Sequence, residues 1–162
     1  MNKGFVHAFC GNAGEKTALA LGQAIHLASQ GQSVIIIQFL SEKDERKIRF
    51  IQQLEPEVKL FRFEKSEISF EELSDEKRLE EQQNIKNGLN FAKKVLTTKE
   101  CGLLVLDGIL DLLEYKIISK ENLREIVAQR RDDIQIILTG INFQTEGLSY
   151  VDDLIKLENI EL

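Results

Sequence analysis

Tryptophan is absent from this chain, proline and methionine occur once each, and cysteine and histidine twice each. Each scarcity removes a class of explanation. Cys10 and Cys101 stand too far apart for a CxxC redox pair, and two thiols are too few for a zinc site or a disulfide framework. They read as free, buried thiols in a reducing compartment. His7 falls inside a strand-like run and His26 inside a helical one, where a structural role is favoured over a catalytic or metal-ligating one. No apolar stretch approaches the roughly 20 residues that a bilayer-spanning helix needs. The amino terminus leads directly into a strand, so the expectation is a cytoplasmic protein with no membrane partner. Acids outnumber Lys and Arg by 27 to 21, for a net charge of −6, and the bases are scattered. No basic stripe exists to track a nucleic-acid backbone, and nucleic acid is not an expected partner. Nucleotides stay open, because a few amides and one lysine converging locally suffice for a polyphosphate.

The chain has 162 residues, of which 43% are apolar and 30% charged. That is the composition of one globular domain able to bury a core without disulfide or metal. Phe5-Val-His-Ala-Phe-Cys10 alternates like a strand, and Thr17 to Gln30 carries Leu21, Ile25 and Ala28 at helical spacing up to Gly31. Ser33-Val-Ile-Ile-Ile-Gln-Phe39 is apolar on both faces, the signature of a strand inside a parallel sheet. A helix is predicted over 43–54, ended by Pro56, then a strand over 58–63. Asp75 to Leu96 forms a long amphipathic helix through Ile85, Leu89, Ala92 and Leu96. Gly102 to Asp107 and Ile134 to Thr139 are further strands, Ser119 caps a helix running to Arg131, and Leu154 to Leu162 supplies a last strand. Strands alternating with helices predict a single α/β domain over 1–162, a three-layer sandwich around a mostly parallel sheet.

In such sheets ligands bind beyond the carboxyl ends of the strands. The turn after the first strand reads Gly11-Asn12-Ala13-Gly14-Glu15-Lys16-Thr17-Ala18, between strand and helix. Amides and a helix N-terminus attract an anion there, Lys16 neutralises its oxygens, and Thr17 can ligate magnesium. The alternative is a tight turn with a surface lysine. Leu103-Leu-Val-Leu-Asp107, four apolar residues ending in an acid, is how a neighbouring strand presents a carboxylate to a nucleotide's magnesium. Asp107 also fits a simple strand-to-helix cap. The two motifs in this order, roughly 90 residues apart, favour a nucleotide site.

The run Cys10 to Ala18, Val34-Ile-Ile-Ile-Gln-Phe39, Leu103 to Asp107 and Ile137-Leu-Thr-Gly140 together resemble the ATP:corrinoid adenosyltransferases. That family has a shortened loop GNGKGKT, a strand ending in Gln-Phe, a Val-Leu-Asp-Glu strand and a Leu-Thr-Gly-Arg turn. Val151-Asp-Asp-Leu-Ile155 is similar to the family's segment before its final strand. The resemblance covers nearly the whole chain and implies a P-loop NTPase-like fold. It implies that cobalt(I) of a reduced corrinoid attacks the 5′-carbon of ATP and expels triphosphate. The amides of residues 12 to 17, Lys16, and magnesium on Thr17 and Asp107 would then stabilise the leaving group, with Lys16 and Asp107 in the catalytic roles. It implies ATP and a corrinoid as substrates, magnesium as cofactor and a homodimer. Phe70 falls near the family's corrin-facing aromatics, with a core or capping role equally open.

Three single positions and one short segment depart from the family pattern. Glu15 stands where the family has glycine, Gly108 where it has a second acid and Ile141 where it has arginine, while Leu40-Ser-Glu replaces a lysine- and glycine-containing continuation. A non-catalytic descendant that binds a nucleotide, a corrinoid or a partner protein is therefore the rival expectation. A P-loop kinase or ATPase is disfavoured, since no basic lid is evident and Gly108 removes the acid that could activate water.

Overall fold

The structure, a computed structural model, describes residues 4–40, 43–131, 133–143 and 148–162, and of residues 13–15 the backbone alone. Five buried or half-buried apolar runs supply most of a six-stranded sheet. These are β1 (Val6–Cys10), β2 (Val34–Gln38), β3 (Val58–Arg62), β4 (Leu103–Asp107) and β5 (Gln135–Gly140), with β6 (Asp153–Lys156) at one edge. The order is β3-β2-β4-β5-β1-β6, and every pairing among the described strands is parallel. In β2 and β4 all five residues are buried, as expected of strands covered on both faces.

Alternation of side chains divides the core into two layers. On one face Phe9, Ile36, Val105 and Ile137 pack with Ala20 and Ala24 of α1 (Ala13–Ser29) and Ile51 of α2 (Glu45–Gln52). On the other, Ala8, Ile37, Leu106 and Leu138 pack with Ile85, Ala92 and Leu96 of α3 (Asp75–Thr98). The same layer takes Ile109 and Leu112 of α4 (Ile109–Glu114), and Leu123 and Ile126 of α5 (Lys120–Ala128). The predicted three-layer α/β sandwich is therefore observed, and its sheet is wholly parallel. Ser119 caps α5 as expected, accepting the Asn122 N–H at 3.0 Å while the Asn122 side chain returns a bond to the Ser119 amide.

Three local expectations change. The first helix begins at Ala13, four residues before Thr17, so most of the presumed loop is the helix's opening turn. The last strand spans Asp153–Lys156 rather than 154–162, and residues after it carry no regular structure. The helix α4 follows Asp107 after Gly108 alone, where none was expected.

Candidate functional site

The carboxyl ends of β2, β3, β4 and β5 open on a cavity of about 510 Å3, within the size range of small-molecule pockets. Lys16 and Thr17 enter it from the first turns of α1, Asp107 and Gly108 from the end of β4, and Gln38 and Phe39 from the end of β2. Leu40, Glu64, Phe70, Asp111, Tyr115 and Ile141 are among its other walls. Gly11, Asn12 and Ala18, by contrast, lie outside the lining, and Ala18 is exposed on α1. The side chains at Ala13, Gly14 and Glu15 fall outside the described residues, as do Ser41 and Glu42.

Asp107 is the hub. It is only 2% exposed, and Thr17 Oγ1 donates to its carboxylate at 3.1 and 3.2 Å. Thr139 Oγ1 donates to Asp107 Oδ1 at 2.6 Å and in turn accepts the Gly108 N–H at 2.8 Å. This chain of bonds ties α1, β4 and β5 together across the sheet. Thr139→Val keeps the shape but removes both bonds and leaves the Gly108 amide buried without its acceptor. A loss of about 2 kcal/mol in denaturant unfolding is expected.

Lys16 does not reach into bulk solvent. Its Nζ donates to Asp111 Oδ2 at 2.9 Å, with only 7% and 9% of the two side chains exposed. The other oxygen, Asp111 Oδ1, accepts the Ile141 N–H at 2.8 Å. Sequence reasoning missed Asp111. The available signal was a lone acid inside the apolar run Ile109-Leu-Asp-Leu-Leu113, one helical turn beyond Asp107.

The departures from the family pattern acquire structural reasons. Gly108 adopts φ +89, and a Cβ there would lie 2.1 Å from the Phe39 carbonyl oxygen, so the acid usual in the family cannot stand on this backbone. Ile141 donates its backbone N–H to Asp111, a bond that any non-proline residue there could make, and its side chain is half-exposed at the cavity wall. Leu40 takes φ +51, a left-handed conformation in which glycine is at ease, and its N–H is held by Glu64 Oε1 at 2.8 Å. Burial raises the Glu64 carboxyl above its ordinary range, and that hydrogen bond partly opposes the shift. Phe70 does line the cavity, beneath the Arg78 guanidinium, which lies 5.8 Å from its ring centre. Neither histidine lines it; His7 pairs with Asp153 on β6, and His26 faces Gln30 along α1. Cys10 and Cys101 are buried free thiols, and burial pushes them up to about 11 and about 12. They are poor thiolates at neutral pH.

Thr17 and Asp107 form an oxygen pair of the hard type that suits magnesium. Their separation of 3.1 Å is close to that of adjacent ligands in an octahedron of about 2.1 Å radius. Among the described residues no group of three or more His, Cys, Asp or Glu could hold a metal by itself. Magnesium characteristically takes one or two protein ligands and completes its shell with phosphate and water, so the pair fits such an ion.

The sequence matches the family described as ATP:corrinoid adenosyltransferase BtuR/CobO/CobP over residues 2–161, nearly its whole length. The chain belongs to this adenosyltransferase family. No curated protein matches it. Among solved structures, it is similar to the KaiC-like protein PH0186 from Pyrococcus horikoshii OT3. The identity is 17% and the TM-score 0.64, covering 98% of this chain and 75% of that one. At that identity the likeness concerns the fold alone, which is P-loop NTPase-like. An overlap with the cytoplasmic domain of the Thermomonospora curvata Type VII secretion ATPase EccC has a TM-score of 0.46 at 13% identity. It covers 94% of this chain and 20% of that one. Within the adenosyltransferase family, corrinoid adenosyltransferase activity is the expected activity, with ATP and a corrinoid as substrates. No described helix is long and apolar enough to cross a membrane.

Proposed function

We propose that this chain, as one domain, binds magnesium-ATP with its phosphates at Lys16 and Thr17 and transfers the adenosyl group to the cobalt of a reduced corrinoid. The observation carrying this reading is the burial of Lys16 beside the Thr17 and Asp107 pair at the floor of one cavity. In the reaction an electron pair of cobalt(I) attacks C5′ of ATP. A cobalt–carbon bond forms, the C5′–O bond breaks, and triphosphate departs with the bonding electrons, leaving cobalt formally as cobalt(III). The chain needs no nucleophile or general base for this. Its residues hold the triphosphate so that C5′ faces the corrinoid, and they stabilise the charge that accumulates on the leaving oxygens. Lys16 supplies a desolvated ammonium for that charge, and amides preceding Lys16, which lack acceptors within the helix, supply further donors. Thr17 and Asp107 would hold the magnesium, which when bound neutralises part of the triphosphate charge.

A second reading is supported by a specific feature, the Lys16 and Asp111 ion pair in a site that has also lost the family's second acid and arginine. In that reading the chain is a non-catalytic descendant that binds nucleotide or corrinoid only. The test is transfer from ATP to chemically reduced cobalamin. A light-sensitive adenosylated product and stoichiometric tripolyphosphate are expected. Lys16→Met should lower kcat/KM by about 100-fold or more, and Asp107→Asn by less, because the carboxylate acts through the metal. Lys16-dependent ATP binding in calorimetry without any product would select the non-catalytic reading. Product formation indifferent to Lys16 would place the triphosphate elsewhere.

A further inference from the structure

The ammonium group that should meet the nucleotide's phosphates already has an anionic partner. Lys16 Nζ and Asp111 Oδ2 lie 2.9 Å apart, both side chains are nearly buried, and both line the cavity that opens at the strand ends. A carboxylate in that place does two things to an arriving polyphosphate. It neutralises the cation that would attract it, and it sets a like charge beside it in surroundings too dry for water to screen.

Asp111 is also firmly held. Its second oxygen accepts the Ile141 N–H at 2.8 Å from the turn after β5. The helix that carries it is anchored by Ile109, Leu110 and Leu112, all buried. Gly140 packs so tightly against this helix that a Cβ there would lie 2.4 Å from Leu110 Cβ and 3.2 Å from Asp111 Oδ1. The carboxylate therefore has no free path away from the site, whereas the four-carbon stem of Lys16 can turn its head group toward a ligand. The cavity adds to the opposition. Its described lining carries six carboxylates (Asp44, Glu64, Glu67, Glu71, Asp107 and Asp111) against Lys16, Lys47 and Arg62.

We infer that Asp111 is a built-in competitor for phosphate at Lys16 and sets the nucleotide affinity of this site. The inference rests on the reading that ATP phosphates bind at Lys16. Binding then requires Lys16 to exchange Asp111 for a phosphate oxygen, so the pair acts as a threshold that weakly charged ligands do not cross. Asp111 would be an affinity-determining residue and not a catalytic one.

The experiment compares wild type, Asp111→Asn and Asp111→Glu by calorimetric titration with magnesium-ATP. Asn keeps an oxygen for the Ile141 N–H and removes only the charge. It should bind about 10- to 100-fold more tightly than wild type, as expected when a competing close charge is removed from a buried site. Asp111→Glu should show no such gain, and magnesium-ATP should raise Tm more in Asp111→Asn than in wild type. Equal or weaker binding by Asp111→Asn, with wild type still binding, overturns the inference and leaves the proposed function standing. No binding by either protein at millimolar magnesium-ATP overturns both. Should Asp111→Asn fail to fold, a crystal structure of wild type with magnesium-ATP decides. Lys16 on a phosphate oxygen and beyond 4 Å of Asp111 supports the competition. Lys16 still on Asp111, or no nucleotide in the cavity, refutes it.

Discussion

Lys16→Ala should destabilise the ligand-free protein by about 3 to 5 kcal/mol, a large share of the total stability of a domain of this size. The cause is not the lost attraction itself. Removing the ammonium strands the Asp111 carboxylate, which is buried and, among the described residues, has only the Ile141 N–H as another donor. An uncompensated buried charge costs more than the pair contributed. Lys16→Met combined with Asp111→Asn should recover most of the loss, since both charges are then gone and Asn still accepts from Ile141. Urea unfolding of wild type, Lys16→Met, Asp111→Asn and the double variant in a double-mutant cycle checks this. If Lys16→Ala alone costs less than about 1 kcal/mol, the pair is solvated and behaves like a surface salt bridge. A practical consequence follows for ATP binding. Loss of binding in either Lys16→Ala or Lys16→Met conflates lost phosphate contact with partial unfolding, so each binding measurement on them needs a stability control.

The second large effect concerns Gly108. Restoring the family's acid by Gly108→Glu should fail to improve nucleotide binding and should cost about 3 kcal/mol or more. The residue has φ +89, where an ordinary side chain costs about 1 to 2 kcal/mol. Its Cβ would also meet the Phe39 carbonyl oxygen at 2.1 Å, a contact with backbone that no rotamer relieves. Phe39 cannot easily yield, because its own N–H donates to the Asp107 carbonyl at 2.8 Å and stitches β2 to β4 at the site. Gly108→Ala should therefore lose nearly as much as Gly108→Glu, which separates the backbone cause from the added charge. Thermal unfolding of the two variants measures it. A stable Gly108→Glu that tightens magnesium-ATP binding would mean that the turn has another accessible conformation.

The strands were legible because burial on both faces leaves a compositional mark that does not depend on neighbours. Val34 to Ile37 and Leu103 to Leu106 could not be solvated in any arrangement. Lys16, Thr17 and Asp107 were legible as a possible site for a related reason, since strand-turn-helix context and an acid closing an apolar strand are local features. The helix start at Ala13 was not legible. Gly14 and Gly11 argued for a loop, and helix propensity is a weak guide that tertiary context overrides. The helix α4 was hidden by its length of six residues, too short to show a period.

By itself, the sequence determined that the chain is α/β, that its sheet is mostly parallel with buried central strands, and that a cation, a hydroxyl and a carboxylate sit close to strand ends. Each of those follows from residue type and order within one element. Only the tertiary structure decided what these groups face. It brought Asp111 from α4 onto Lys16 from α1, a partnership across 95 positions, and joined Thr139 of β5 to Asp107 of β4. It also gave Gly108 a conformation closed to any acid. Those outcomes depend on strand order, which inserts β5 between β4 and β1. No periodicity along the chain records which strand ends become neighbours, because that is settled by how the helices cover the two faces of the sheet.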